Sequence, residues 1–128
     1  MIMAFDFGMG KIGVAVGQRI TKSANPLTIL KAKDGIPNWQ EVEQLINEWQ
    51  PDLLVVGLPL NMDGTESEMS MRAEKFSRRL YGRFNLPCET VDERLSSFEA
   101  AEYAEKDGKL DAIAASLILR TWLNSQGD

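Results

Sequence analysis

Three short apolar segments separated by turn residues occupy the first third of the chain. They cover about 1–7, 11–17 and 26–32, and glycine, asparagine and proline stand between them. Runs of this length with such breaks predict β-strands, and the tight turn at 8–10 makes the first two strands antiparallel neighbours. The chain is therefore predicted to begin as a β-meander.

The remainder of the chain alternates helical and strand patterns. Asn38 predicts a helix N-cap, apolar residues then recur at helical spacing as far as Trp49, and Pro51 ends the helix. The order βββαβαβαα predicts one α/β domain over residues 1–128, with a five-stranded mixed sheet and helices on both faces. Its later elements are a strand at 52–58, a helix at about 66–84, a strand at 87–91, a helix from Ser96 or Ser97 to about 106, and a helix at about 109–124.

Composition excludes several classes of protein. The sequence contains no histidine and one cysteine, Cys88, which removes histidine-bound zinc and the usual serine or cysteine triads. A net charge of -5 argues against nonspecific coating of nucleic acid. No apolar run approaches the roughly 18 residues of a membrane span, and no export signal precedes the first strand, so we expect a soluble cytoplasmic protein.

Three acids stand where the predicted sheet presents strand ends and a helix start. Asp6 ends the first strand, Glu93 follows the last one, and Asp111 lies in the first turn of the final helix. Taken singly, each acid also has an ordinary structural explanation. Asp6 could form a turn, Glu93 could pair with Arg94, and Asp111 could interact favourably with the dipole of the final helix. Together they would meet at one edge of the sheet, and carboxylate oxygens are the ligands that Mg²⁺ and Mn²⁺ prefer. This pattern favours a metal site suited to phosphodiester hydrolysis by two ions.

Four segments, in this order, span nearly the whole chain: DFGMGKIGVA at 6–15, GLPLNMDG at 57–64, DERLS at 92–96 and GKLDAIAA at 108–115. They resemble the successive motifs of the YqgF-type family, whose members are called pre-16S rRNA nucleases or Holliday junction resolvases. The resemblance implies a ribonuclease H-like fold and metal-dependent nuclease chemistry, with Asp6, Glu93 and Asp111 at the family's acidic positions. The family's members usually have a longer, glycine-rich and basic stretch where this chain has only Glu102 to Lys109.

Positive charge that can offset a phosphate backbone is concentrated on the helix predicted at about 66–84. Arg72, Lys75, Arg79 and Arg83 follow one another at spacings of three, four and four residues, which places them on one helical stripe. The stripe either contacts nucleic acid or forms a solvated face that neighbouring glutamates balance.

Other candidate substrate contacts lie closer to the acids in the predicted fold. Lys11, Arg94 and Lys109 are cations, and one of them is expected to steady the negative charge that develops on the reacting phosphate. Asn61 and Asp63 follow the strand at 52–58, where they either shape a tight turn or position substrate. We favour substrate positioning for this pair.

These observations predict an endonuclease that acts on structured nucleic acid, with Mg²⁺ or Mn²⁺ as cofactor and Asp6 bridging two ions. The leading hypothesis is processing of the 5′ end of precursor 16S rRNA, with the ribosome as a partner and no membrane. The alternatives are resolution of a Holliday junction, or a noncatalytic RNA-binding factor of ribosome maturation or transcription on the same fold. Both a monomer and a homodimer remain open, since junction resolution needs two sites.

Overall fold

In the computed structural model, residues 1–93 and 110–126 are described, and they form six β-strands and three α-helices. The strands are β1 (Ile2–Asp6), β2 (Lys11–Gln18), β3 (Ser23–Lys33), β4 (Ile36–Pro37), β5 (Leu53–Leu58) and β6 (Cys88–Asp92). The helices are α1 (Trp39–Trp49), α2 (Glu68–Phe84) and α3 (Leu110–Ser125). The strands form a sheet in the order β4-β3-β2-β1-β5-β6.

Strand direction changes at β1, in the interior of the sheet. β1 is antiparallel to β2 and parallel to β5, and β6 is parallel to β5. The predicted meander and the mixed α/β sheet are therefore confirmed. Because β1, β5 and β6 run in the same direction, their C-terminal ends meet at one edge of the sheet, and this edge carries Asp6 and Asp92.

The predicted number of five strands is wrong by one, because β4 adds a sixth strand at the edge of the sheet. β4 contains only Ile36 and Pro37, which pair with Lys33 and Ala32 of β3. Two residues are too few to show an alternating pattern, so sequence periodicity could not reveal this strand.

β3 also begins earlier than predicted, at Ser23 rather than at about Pro26. Proline is a break signal because it has no N–H to give to a neighbouring strand. Here Pro26 pairs opposite Ala15, next to an irregularity in the β2–β3 register, and β4 covers only the far end of β3. Both conditions allow proline within a strand, since the missing N–H would have had no regular partner.

The three described helices agree with the predicted ones. Asn38 caps α1 by accepting a backbone hydrogen bond of 2.9 Å, and Gln50 ends this helix in the left-handed conformation. Ser67 caps α2. α3 differs by one residue at each end from its predicted range. The helix predicted to begin at Ser96 or Ser97 lies outside the described residues.

Helices cover both faces of the sheet, as predicted. α1 and α2 pack on one face, where the ring of Phe76 meets that of Phe5 edge to face at 5.7 Å between centroids. α3 packs on the opposite face, where Ile118 joins a buried cluster with Ile2 and Ala4. Within residues 1–93 and 110–126, no helix is long and apolar enough to cross a bilayer.

Candidate active site

Asp6 lies at the C-terminal end of β1, with β2 on one side and β5 on the other. It pairs with Gly13 of β2 and follows Ala4 and Ile2 at two-residue steps, and both of these side chains face α3. Because side chains alternate between the faces of a strand, the carboxylate of Asp6 also projects toward the α3 face. The acid is largely covered there.

Asp111 comes close to Asp6 because α3 packs directly on Gly13. A Cβ atom added to Gly13 would collide with the backbone carbonyl of Asp111 and would stand 2.9 Å from the backbone nitrogen of Ala112. Glycine at this position therefore lets the first turn of α3 rest against β2. Since Gly13 is the cross-strand partner of Asp6, Asp111 reaches the strand end that carries Asp6.

Glu93 approaches Asp6 from the other side, across β5. It directly follows β6, and its Oε2 atom lies 2.8 Å from the position where a Cβ would stand on Gly57. Oε2 is shielded from solvent. Because β5 is the neighbour of β1, a carboxylate that lies over Gly57 is directed toward the end of β1. The two glycines, Gly13 and Gly57, thus provide the room that the two outer acids occupy.

Asp6 interacts electrostatically with the other two acids. Burial, together with the smaller effect of the nearby charges of Glu93 and Asp111, raises the pKa of Asp6 to about 8. Burial also raises the pKa of Glu93 to about 7, with a contribution from Asp92. Near neutral pH, Asp6 and Glu93 therefore bind protons to a greater extent than exposed carboxyl groups do. Perturbation of this kind is concentrated at functional sites.

A divalent cation fits these acids by donor type. All three side chains offer carboxylate oxygens, which Mg²⁺ and Mn²⁺ take as ligands, and they come from three different elements. A cation among them would also offset the repulsion that raises the pKa of Asp6. In the parts of the chain that the structure describes, no three acidic or cysteine side chains lie in an arrangement that could hold a metal ion.

Lys11 lies close to this site, and Lys31 is a neighbour that the sequence analysis missed. Lys11 begins β2, two residues before Gly13, so its side chain is on the same face of the sheet as the carboxylate of Asp6. Lys31 of β3 is its cross-strand partner, and both lysines are exposed. Like charges opposite each other destabilise a sheet, so this pair suggests a role in anion binding. Only the register of β3 reveals Lys31.

Asn61 and Asp63 lie in the loop that follows β5, at the same edge of the sheet. The side-chain amide of Asn61 donates to the hydroxyl of Thr65 at 3.0 Å. A carboxylate oxygen of Asp63 accepts from the backbone N–H of Thr65 at 3.0 Å and from its hydroxyl at 2.6 Å. Both side chains therefore shape the loop itself. Their predicted contact with substrate stays a prediction.

The predicted basic stripe is present on α2, which covers the opposite face of the sheet from α3. Arg72, Lys75 and Arg79 are all exposed, and Arg72 forms an ion pair of 3.1 Å with Glu68. Arg72 is therefore neutralised by a neighbouring glutamate, as one of the two interpretations of the stripe predicted. The other two predicted cations, Arg94 and Lys109, and the short stretch from Glu102 to Lys109, lie outside the described residues.

Comparison with known proteins assigns the chain to a family. A family model described as "RuvX: Holliday junction resolvase" matches residues 1–125. This chain belongs to the RuvX family. Among its relatives, proteins named "Putative pre-16S rRNA nuclease" from Azotobacter vinelandii and Pseudomonas putida are each 56% identical to it. The matches cover 96% and 98% of this chain and 92% and 95% of the respective relatives.

Solved structures identify the fold of this RuvX chain. It is similar to Thermus thermophilus RuvC in complex with a Holliday junction substrate, with a TM-score of 0.62 at 12% identity, covering 98% of this chain and 94% of RuvC. The fowlpox virus resolvase, solved with junction DNA, matches with a TM-score of 0.53 at 14% identity over 99% of both chains. The predicted ribonuclease H-like fold is confirmed. The motif-based assignment to a nuclease family is confirmed as well.

Substitution of Gly13 is expected to damage both stability and the acid cluster. Gly13→Ala places a Cβ against the backbone of Asp111, so α3 must shift, and we expect a loss of about 1 to 3 kcal/mol in the free energy of unfolding. Gly10→Ala is the matched control, because a Cβ there meets no atom within 4 Å. Urea unfolding measures both variants. Equal stability of the two would contradict the close packing of α3 on β2.

Proposed function

We propose that this RuvX protein is an endonuclease that depends on Mg²⁺ or Mn²⁺ and processes the 5′ end of precursor 16S rRNA. The observation that carries the proposal is the convergence of Asp6, Glu93 and Asp111 at one edge of a ribonuclease H-like sheet. Family membership supports phosphodiester hydrolysis. The names of the relatives cited above support precursor rRNA as the substrate.

The three acids together hold the metal in the proposed reaction. Asp6 is the central ligand, because its carboxylate interacts with the charges of both Glu93 and Asp111, and the other two acids complete the metal-binding set. When bound, the ions lower the pKa of water and offset charge on the scissile phosphate. Burial disfavours the ionised forms of Asp6 and Glu93. Because metal ligands must be deprotonated, we expect both acids to lose their protons when the metal binds.

The substrate phosphates need cations on the same face as the acids. Lys11 and Lys31 are exposed on that face, and we assign them contacts with phosphates beside the cleaved bond. Arg94 and Lys109, which flank Glu93 and Asp111 in sequence, complete this set in the proposal, with one of them steadying the charge that develops on phosphorus. Asn61 and Asp63 hold the loop after β5 in the shape that receives the strand.

A cleavage assay with two substrates tests this proposal. Purified protein is incubated with an end-labelled 16S precursor fragment or a four-way DNA junction, each with Mg²⁺, Mn²⁺ or EDTA. We expect metal-dependent cleavage at the 5′ boundary of the RNA and no paired cuts in the junction. Paired, symmetric junction cuts without RNA cleavage would replace the proposal by the second candidate, which the family description and the RuvC-like fold favour. Solution mass then distinguishes a monomer from the dimer that junction resolution needs.

A noncatalytic factor on the same fold predicts a different result. Such a protein binds RNA tightly in a salt-dependent manner, keeps this affinity when Asp6 and Asp111 are neutralised, and cleaves neither substrate with any divalent metal. That combination would overturn the proposed endonuclease. RNA binding together with metal-dependent cleavage would support the endonuclease over the noncatalytic factor, because the acids would then be needed for cleavage.

A further inference from the structure

A groove made of two adjoining depressions lies between α2 and the segment that joins β3, β4 and α1. Its first part is lined by Arg72, Lys75 and Arg79 on one side and by Ile36 on the other. Its second part is an open depression of about 510 Å³ that shares Ile36 and Arg79 with the first and adds Trp39 and Arg83. These six residues define what we call the α2 groove. The volume of the second part is in the range of small-molecule binding sites.

The α2 groove is positively charged although the protein as a whole carries a net charge of -5. Four cations line it, and the acids beside them are Asp34, which lines the first part, and Glu68, which pairs with Arg72. Within residues 1–93 and 110–126, no acid lies within ion-pair distance of the other three cations, Lys75, Arg79 and Arg83. The groove therefore presents a local excess of positive charge to solvent.

The second part of the α2 groove combines this charge with a fixed aromatic surface. The guanidinium of Arg83 lies over the ring of Trp39, at 4.3 Å from its centroid. Trp39 in turn stacks on the buried ring of Phe76, with 5.9 Å between centroids and 21° between the planes. Arg83 is thus held in place by aromatic rings rather than by an acid, so its charge stays available. Ile36 opposite is 47% exposed and adds apolar surface.

Cations interleaved with aromatic and apolar surface are typical of sites for single-stranded nucleic acid. The cations contact backbone phosphates, and the exposed side chain of Ile36 and the ring edge of Trp39 give apolar contacts to unpaired bases. A duplex offers phosphates but keeps its base faces stacked inside, so it would use only half of the α2 groove. The chemistry of the groove therefore favours an unpaired strand.

The position of the α2 groove relative to the acids leads to the same conclusion. Phe7 lines the start of the groove, and Phe7 directly follows Asp6. Phe7 packs on the face of α1 and α2, whereas the carboxylate of Asp6 is on the face of α3. Nucleic acid that reaches both must therefore turn around the edge of the sheet. A duplex is stiff over roughly 150 base pairs, whereas an unpaired strand can make this turn.

We propose that the α2 groove binds an unpaired segment of the cleaved strand, next to the phosphate that the acids receive. The inference rests on the proposed function for the statement that the bound strand is the cleaved one. It adds a substrate class: the protein selects RNA in which a single-stranded segment flanks the cleavage point. The groove supplies binding energy on one face of the sheet, and the acids act on the other.

Binding without chemistry tests the α2 groove by itself. A fluorescent single-stranded oligouridylate of about ten nucleotides is titrated in EDTA at several salt concentrations, and a blunt duplex serves as the second probe. Arg79→Ala with Arg83→Ala should weaken single-strand binding at least tenfold. The double variant should also lower the magnitude of the salt slope by about 1.4, because each lost phosphate contact contributes about 0.7 for a single strand.

Two further variants make this result specific to the groove. Arg78→Ala with Arg120→Ala removes the same charge from exposed positions that do not line the groove, and should change affinity less than twofold. Arg79→Lys with Arg83→Lys keeps the charge and should restore most of the affinity. Wild-type binding by the alanine variant would overturn the inference, and so would an equal loss in the Arg78 and Arg120 variant.

Cleavage kinetics then connect the α2 groove to the substrate. When a complementary oligonucleotide pairs the segment that flanks the cleavage point, the wild-type KM should rise at least tenfold with little change in kcat. The Arg79 and Arg83 alanine variant should have a raised KM with either substrate. If the wild-type KM is the same for the paired and the unpaired substrate, the inference is overturned. Cleavage of either substrate would still support the proposed function in that case. Single-strand binding in EDTA without any cleavage would instead reject the proposed function and leave the groove as a binding site.

Discussion

Asp6→Asn is expected to lower metal-dependent cleavage by about 1,000-fold or more, a loss of the size found when a central electrostatic group of an active site is removed. Asp6 is the acid that the other two approach, Glu93 from across β5 and Asp111 from the start of α3. Asparagine keeps the shape of the side chain and removes the charge that a divalent cation requires. Single-turnover cleavage at saturating Mg²⁺ measures the effect.

A matched control and a combination test accompany this variant. Glu43→Gln makes the same kind of exchange on the exposed face of α1 and should cleave like the wild type. Because Asp6, Glu93 and Asp111 are proposed to act as one unit, adding Asp111→Asn to Asp6→Asn should cause little further loss. An Asp6→Asn protein that keeps a tenth or more of wild-type activity would remove Asp6 from the proposed metal site.

The approach of these acids to one another could be expected from the sequence because each lies at the end or the start of an element that local pattern predicts. Asp6 ends an apolar run and Asp111 starts a helical one, and such positions meet at the edge of an α/β sheet. What the sequence could not show is why particular glycines are needed. Gly13 and Gly57 give space to the backbone of Asp111 and to the carboxylate of Glu93, and these neighbours are known only after α3 and β6 have been placed.

The features that the sequence analysis missed share a different cause. β4 is too short to carry a period, and Lys31 gains meaning only through the register that sets it opposite Lys11. The basic stripe on α2 was visible as a helical spacing. The opposite wall of its groove, with Ile36 and Trp39, depends on how β4 and α1 pack against α2. Local periodicity therefore predicts elements, whereas grooves and cross-strand pairs need tertiary structure.

Without divalent metal, the stability of the wild-type protein is expected to fall as the pH rises from about 4 to about 8. The folded-state pKa values of Asp6 and Glu93, about 8 and about 7, lie above the ordinary values of 3.8 and 4.5. Between these limits the folded protein holds protons that the unfolded chain has lost, so the free energy of unfolding decreases with pH. Below about pH 4 both states are protonated, and above about pH 8 the decrease levels off. Each group can lower the free energy of unfolding by at most about 1.4 kcal/mol per pH unit. Because both groups are partly exposed and solvent screening reduces the effect of the shifts, we expect a total loss of about 2 to 4 kcal/mol.

The substitution Asp6→Asn should remove much of this decrease in the free energy of unfolding. Binding of Mg²⁺ to the wild type should do the same, because in both cases no uncompensated charge is buried. The variant has no charge to bury, so at pH 8 without metal it should be more stable than the wild type, although it is inactive. Mg²⁺ offsets the charge instead, and by preferential binding to the folded state it should raise the melting temperature of the wild type and not of Asp6→Asn. Glu43→Gln should behave like the wild type in both comparisons. Thermal unfolding from pH 5 to 9, with Mg²⁺ or EDTA, measures all three proteins. Parallel pH profiles for the wild type and Asp6→Asn would contradict the burial of an ionisable Asp6 among the other acids.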